Sequence, residues 1–567
     1  MYDPTLPRSR VFLPAIISGA LLYASFFPLN LGFLAWIALV PFLALVRANA
    51  RSRRIYFAAF VGGLFCYVPA IQWIRVAHPA MYGAWIFLAI CCSIFLVMTL
   101  AIIRKLDRTG LPLWLSAPIG FIAMEYFRSH FPTGYTWMEI FNARHPIGFG
   151  WYMIGHTQHD FTSLAQIADV TGVYGVSFIV VLVNSVVWLS IEKNALARVW
   201  LRLIREPRPT GSRPAIIAAT LLAAAVGYGL FRLNHEKFGE GPRVALIQGN
   251  LEQDIKNQNG KVMWEHFDKL ANQAVDVKPD QKPDLVIWPE TSLAYGWFDV
   301  QPGINVQSLE YEFQRGYNGS RLVMSEDAFR WRIPMLYGIG TRQWETDNRE
   351  WRYNSALLVD ANGIAVARYD KIHLVPLGEY VPFPETLPFL KWFQPFEGDY
   401  SCRPGESYTR FPLPVGDKTY HFACLICYED TDASLARQYV RPGAEGVDFF
   451  VNISNDGWFQ GTAEHEQHLA IGRFRAIETR RSVVRAVNMG ISAIVDPNGR
   501  VIALPGETWA KSKKVEGIVR GSVPLDSRTS LYARLGDWLP LTGWGVFVGS
   551  IVWGFVRRRK PAAIGNA

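Results

Sequence analysis

Cys427 closes a short apolar run, Phe422 to Ile426, and is followed at once by Tyr428, Glu429 and Asp430. The run reads as a buried β-strand, and a strand end is where a sheet fixes a reacting group while the next loop leaves it open. A thiol placed there could attack an acyl carbon, but the reactive thiolate is a minor species at a free pKa of about 8.5 and needs help to form. Taken alone, such a cysteine is more often a small buried hydrophobe. Two other strand ends change that reading. Asp284-Leu-Val-Ile-Trp-Pro-Glu290 is an apolar strand stopped by Pro289 and followed by a carboxylate. Gly363-Ile-Ala-Val-Ala-Arg-Tyr-Asp-Lys371 finishes on a lysine.

Elements able to position these groups begin at Pro242. Arg243 to Gly249 is an apolar strand, and Met263 to Val277 has helical spacing with Trp264, Phe267, Leu270 and Ala274 on one face. Pro334 to Gly338 is a further strand, and Tyr353–Asp360 with Gly363–Asp370 predicts a hairpin across Asp360-Ala-Asn-Gly. After Cys427 come a strand at Val447–Ile453, a long helix from Glu464 to Arg480, and a second hairpin from Ser492 to Leu504. Periodicity alone gives an α/β domain. Glu, Lys and Cys at strand tips, in that order, resemble the catalytic set of the nitrilase superfamily, over about Pro242 to Pro524. The resemblance implies an α-β-β-α sandwich in which Glu290 takes the thiol proton, Cys427 attacks, and Lys371 steadies the charge that develops on oxygen.

At 567 residues the chain is too long for one ordinary core, and 50% apolar residues, 14% aromatic and a positive mean hydropathy are high for a purely soluble protein. Apolar runs occupy roughly 11–28, 32–46, 56–74, 83–103, 111–127, 173–191 and 214–231, with an eighth at Leu541–Val556. Each is about the length that crosses ~30 Å of hydrocarbon as a helix. The net charge of +9 could suggest nucleic acid, but its placement suggests orientation in a membrane instead. Links after the second, fourth and sixth runs carry Arg47, Arg51, Arg53 and Arg54, then Arg104, Lys105 and Arg108, then Lys193, Arg198, Arg202, Arg205, Arg208 and Arg213. The link after the first has no basic residue, and that after the third has only Arg75. This alternation predicts a cytoplasmic N-terminus, with Leu233 onward on the outer side. The basic cluster Arg557 to Lys560 returns the tail to the cytoplasm. The expected division is a seven-helix transmembrane region at 1–235, an outer catalytic domain at 236–530, and a C-terminal helix with its basic tail at 531–567.

Within the fifth run, Glu125 is expected to pair with Arg128 one helical turn on, or else to mark a functional cavity. The connection from Arg128 to Gly172 is rich in aromatics. Trp137, Phe141, Phe149, Trp151 and Tyr152 read equally as a lipid doorway and as an interfacial belt. His145, His156 and His159 lack a metal-binding spacing with a carboxylate. The six cysteines give no disulfide framework, and Cys424 with Cys427 has no second pair to make a metal site.

A nitrilase-like domain held outward in an eight-helix frame is similar to the apolipoprotein N-acyltransferases. Matching segments are Val244 to Asn250, Trp288-Pro-Glu290, Tyr353-Asn354, Tyr369 to Lys371, His373 to Phe383, Cys427-Tyr-Glu429, Asn455-Asp-Gly-Trp458-Phe and Gln166 to Phe178. The resemblance implies an acyltransferase of the bacterial inner membrane, with its catalytic domain periplasmic. Its acyl donor would be a membrane phospholipid and its acceptor the α-amino group of a diacylglyceryl-modified apolipoprotein. Glu379 and Tyr428 would support the site, and Glu429 would hold the region of the lysine and oxyanion. No cofactor, metal or nucleic acid is expected. A membrane-tethered amidase, in which water resolves the thioester, is the alternative. One departure is that Gln253-Asp-Ile-Lys256 is followed by Asn257 and not by the tryptophan frequent in the family, leaving Trp264 as a candidate lid aromatic. The other is a connection around Glu139 to His159 longer than the family's usual form.

Overall fold

The structure is a computed structural model that describes residues 5, 8–131, 148–202, 211–253, 256, 260–381, 388–393 and 400–559. Trp137, Glu139, Phe141, His145, Arg205, Arg208 and Asn257 lie outside these residues. The first region contains helices α1 (Phe12–Ser25), α2 (Ser52–Ala70), α3 (Met81–Thr109), α4 (Leu113–His130), α5 (Val173–Ile191) and α6 (Arg213–Asn234). Among the described residues, four helices are long and apolar enough to cross a membrane: α3, α5, α6 and Trp538–Val556 near the C-terminus.

The run at 32–46, expected as one spanning helix, is instead three short turns, Gly32–Leu34, Ala35–Ala38 and Val40–Leu43. Pro41 has no N–H to continue the ladder. The break is stabilised from α5, where the Asn184 amide donates to Ala35 O and accepts from Leu39 N, both at 2.8 Å. Most of this run is buried among α1, α2 and α5 rather than facing outward.

The second region has two sheets. Strands β1 (Gly239–Gln248), β2 (Leu285–Ile287), β3 (Leu293–Val300), β4 (Met335–Trp344), β5 (Glu350–Val359), β6 (Ala365–Asp370) and β13 (Gly517–Leu525) form one, in the order β13-β1-β2-β4-β5-β6 with β3 also on β4. Strands β7 (Phe411–Val415), β8 (Lys418–Ile426), β9 (Phe449–Ser454), β10 (Ser482–Val487), β11 (Ala493–Val495) and β12 (Val501–Ala503) form the other, in the order β12-β11-β10-β9-β8-β7. Alternation along the strands builds the layers. Val244 and Leu246 of β1 join Ile426, Val451 and Val484 between the sheets. Ala245 and Ile247 face Met263, Phe267 and Leu270 of helix α7 (Gly260–Val275), with Met324 and Trp331 of helix α8 (Tyr311–Trp331) completing that layer. Helix α9 (Glu464–Thr479) covers the second sheet and is buried at every position, because its outer side packs on the first region. Helix α10 (Trp538–Arg559) returns along α4.

The seam between the regions is polar and closely paired. Arg480 donates to Asp169 Oδ2 at 2.6 and 2.8 Å, and Val173 N donates to Glu478 Oε1 at 2.9 Å. At the far end of the helices, Arg47 pairs with Asp107 at 2.7 Å and Glu192 at 3.1 Å. There too, Ser9 N donates to Asn49 O and Arg10 N to Leu201 O. The N-terminal segment and the links after the second, fourth and sixth runs therefore share one end of the helices.

Candidate active site

Glu290, Lys371 and Cys427 each lie just beyond a strand, β2, β6 and β8 respectively, and the sandwich brings these ends to one edge. β4 passes directly beneath Glu290: a Cβ on Gly338 would lie 2.1 Å from Pro289 O, so only glycine fits there. The chain then turns at Thr291, with φ +45°. Lys256 spans this turn from the opposite loop, its Nζ 2.7 Å from Glu290 O and 3.1 Å from Thr291 Oγ1. Burial pulls the Lys256 ammonium down to about 7.

The Lys371 ammonium lies 2.9 Å from Glu379 Oε2 and 3.4 Å from Glu290 Oε1. Burial opposes its charge, but the two carboxylates outweigh burial and hold it well above the ordinary lysine range. Asn354, midway along β5, donates one amide proton to Glu290 Oε1 and the other to Glu379 Oε1, both at 2.7 Å. Asn455 N donates to Glu290 Oε2 at 2.9 Å. Both Glu290 oxygens are thus aimed by neutral donors, and only one is shared with the lysine.

Cys427 opens a tight helical turn, Cys427–Thr431, with φ +53°. Its carbonyl and that of Leu425 accept from the Asn452 amide at 3.2 and 3.1 Å. Burial pushes the Cys427 thiol up, as does the Glu290 charge, while Lys371 pulls it back. The neutral thiol is therefore favoured over the thiolate. Glu429 joins two strand ends. Oε1 accepts from Tyr369 Oη at 2.8 Å, Ile372 N at 2.7 Å and His373 N at 3.0 Å, while Oε2 accepts from Ile426 N at 2.7 Å. One carboxylate therefore fixes the backbone after Lys371 against the backbone before Cys427.

Tyr428 points away from these groups toward the helices. Its hydroxyl donates to Gly148 O at 3.0 Å and accepts from Gly150 N at 3.2 Å, and its ring stacks on Trp151. Trp151 and Tyr152 are buried, and both bind Gln467 of α9. They are neither a belt nor a doorway but packing between the regions. The expected Glu125–Arg128 pair does not form: Glu125 accepts from Ile154 N at 2.7 Å, and Arg128 donates to Tyr152 O at 3.1 Å. His156 packs on Phe474, and His159 binds Asn30. Trp264 packs on Tyr295 beneath Arg330. Sequence reasoning missed the aiming roles of Asn354, Asn455 and Lys256, although all three lie in segments it singled out.

A carboxylate, an ammonium and a thiol presented by three strand ends of a two-sheet sandwich define a carbon-nitrogen hydrolase domain, and that family's model matches residues 243–526. The apolipoprotein N-acyltransferase N-terminal domain matches residues 18–142 and 138–186. An apolipoprotein N-acyltransferase of Geobacter metallireducens is 30% identical over 98% of this chain and 96% of its own length. That of Rhodopirellula baltica is 27% identical over 95% of this chain and 96% of its own. The chain belongs to the apolipoprotein N-acyltransferase family. Among solved structures, an amidase from Nesterenkonia sp. is 18% identical, covering 54% of this chain and 97% of that one with a TM-score of 0.35.

Proposed function

We propose that the chain moves a fatty acyl group from a membrane phospholipid to the N-terminal amine of a diacylglyceryl-modified apolipoprotein, by way of a thioester on Cys427. Glu290 accepts the thiol proton as sulfur attacks the ester carbon. The tetrahedral oxyanion forms against the Lys371 ammonium, which two carboxylates keep charged. As the C–O bond breaks, Glu290 returns the proton to the leaving lysophospholipid oxygen. The lipoprotein amine then attacks the thioester, Glu290 takes the amine's proton, and that proton goes to the departing sulfur. Glu379 and Glu429 act by positioning, the first on Lys371 and the second on the backbone flanking Lys371 and Cys427, while Tyr428 anchors the nucleophile's turn to the helical region.

We assign the membrane region to 1–235, the catalytic domain to 236–530 and the returning helix to 531–567, with eight passes, the second made by the broken run at 32–46, and the catalytic domain on the periplasmic side of the inner membrane. Four long apolar helices support this, as does the gathering of the basic links at the end away from the sandwich. The observation that carries the acyl-transfer reading is the shared ammonium, with Lys371 against Glu290 at 3.4 Å beside a turn that presents Cys427. The test supplies phospholipid and a diacylated lipopeptide to the full chain. Lipopeptide should gain one acyl mass as lysophospholipid appears, and Cys427→Ala should do neither. Release of free fatty acid with no change in the lipopeptide would favour the hydrolytic alternative.

A further inference from the structure

A buried polar cluster behind the Cys427 turn takes no part in the acyl cycle. Asp456, Glu464 and His468 are all buried, and one ligand atom from each lies within 4.8 Å of the others. His468 Nδ1 stands 3.3 Å from Asp456 Oδ1 and 3.4 Å from Glu464 Oε1. These separations are longer than the about 2.7–2.9 Å of a charge-assisted hydrogen bond. They match the spacing of about 3.3–3.4 Å between tetrahedral nitrogen and oxygen ligands held about 2.0–2.1 Å from Zn²⁺. The far side of the ring is also arranged for a ligand, with His468 Nε2 2.9 Å from Asp430 Oδ1 and Asp430 paired in turn with Arg485. A carboxylate on the second nitrogen is the usual means of orienting a metal-bound imidazole.

A second observation points the same way. Asp456 Oδ2, Glu464 Oε2 and His465 Nδ1 are buried atoms without a hydrogen-bond partner. His465 Nδ1 faces the two carboxylates at 3.7 and 3.5 Å. Its Nε2 accepts from Gly461 N at 2.8 Å, so a neutral ring carries its proton on Nδ1, placed to donate to a carboxylate or a metal-bound water. Asp430, Asp456 and Glu464 bring three carboxylates into the interior, and Arg485 offsets one of them. With His468 neutral, as a metal ligand is, two buried negative charges are left over and a divalent cation supplies what they lack; without it a protonated His468 must stand between the carboxylates.

We propose that Asp456, Glu464 and His468 bind a divalent transition-metal cation, with Zn²⁺ the best match to the donors. Its place in the fold gives it a positioning role. Asp456 directly follows Asn455, whose amide aims Glu290, and Asp430 lies in the turn that Cys427 opens. A cation there ties the loop of the base to the turn of the nucleophile from behind, without touching substrate.

The test uses full-length protein in detergent, purified without chelator, and reads metal content and thermal midpoint, neither of which depends on acyl transfer. About one equivalent of zinc per chain is expected in the wild type, and less than about a tenth of that in Glu464→Gln and Asp456→Asn. After chelation, added Zn²⁺ should raise the midpoint of the wild type and leave both variants unmoved. Equal zinc uptake by wild type and variants, or a wild-type midpoint indifferent to Zn²⁺, would overturn the site and leave His468 as an imidazolium between carboxylates. Either result leaves the acyl-transfer reading where it stands.

Discussion

Cys427 adopts a backbone conformation, φ +53°, that costs a side-chain-bearing residue about 1–2 kcal/mol. The Asn452 amide and the Glu429 carboxylate hold it there. Because Glu429 accepts from four donors, Glu429→Gln turns an amide NH₂ toward an N–H or O–H. The expected cost is about 1–3 kcal/mol of stability, and the rate of thioester formation should fall with the loss of alignment between Lys371 and Cys427. Thermal denaturation and single-turnover acylation check the two effects, and an unchanged rate would separate Glu429 from the site. The raised Cys427 thiol makes a second prediction. A pKa above the ordinary value means that the neutral form persists to higher pH, so alkylation of Cys427 by iodoacetamide should still be rising at about pH 10.5, where an ordinary thiol is already fully ionised. A half-maximal rate at about pH 8.5 with a plateau by about pH 10.5 would show an unperturbed thiol. Glu290, Lys371 and Cys427 were legible because each puts a reactive group at the end of an apolar β-run. Asn354 and the Asn455 amide were not, since a mid-strand side chain and a backbone donor acquire their roles only when distant segments meet.

At the scale of elements, α9 shows how the same sequence can be read correctly and incompletely. Its helical character was plain, but the burial of Glu464, His465, Glu466, His468, Arg473 and Arg475 was not. All are buried, because the first region lies against the side away from the sheet. The strands beside the candidate site were similarly clear, whereas β3, β7, β10, β13 and α8 went unassigned: the strands are settled by pairing, and α8 by packing Met324 and Trp331 on the first sheet. The 32–46 run illustrates the opposite limit, since apolar length alone does not reveal that Asn184 will stabilise a break. Asp169 is a buried polar tie across the seam, accepting from Arg480 of the second region and, within the first, accepting from Tyr228 Oη at 2.7 Å and pairing with Arg232 at 2.9 Å. Asp169→Ala leaves buried guanidinium charge unmatched and should cost about 3–5 kcal/mol, read as a lower thermal midpoint of the full chain in detergent. A midpoint within error of wild type would mean that packing alone holds the seam.

For the whole molecule, the arrangement is a catalytic sandwich seated on one end of a helical region whose basic links gather at the other. Leu196, in the link after the sixth run, is 81% exposed, and Phe329 of α8 is 79% exposed. In intact cells whose outer membrane has been removed, a membrane-impermeant maleimide should label Phe329→Cys directly and Leu196→Cys only after lysis. The reverse pattern would invert the proposed orientation. The proposed function rests on a fatty chain held on sulfur while donor leaves and acceptor arrives. The most direct measurement is therefore the intact mass of the full-length protein after incubation with phospholipid alone. The account predicts one added acyl group on Cys427, removed by hydroxylamine and discharged by lipopeptide. An adduct of the same mass on Cys427→Ala, or no adduct on the wild type under conditions that support transfer, would contradict it.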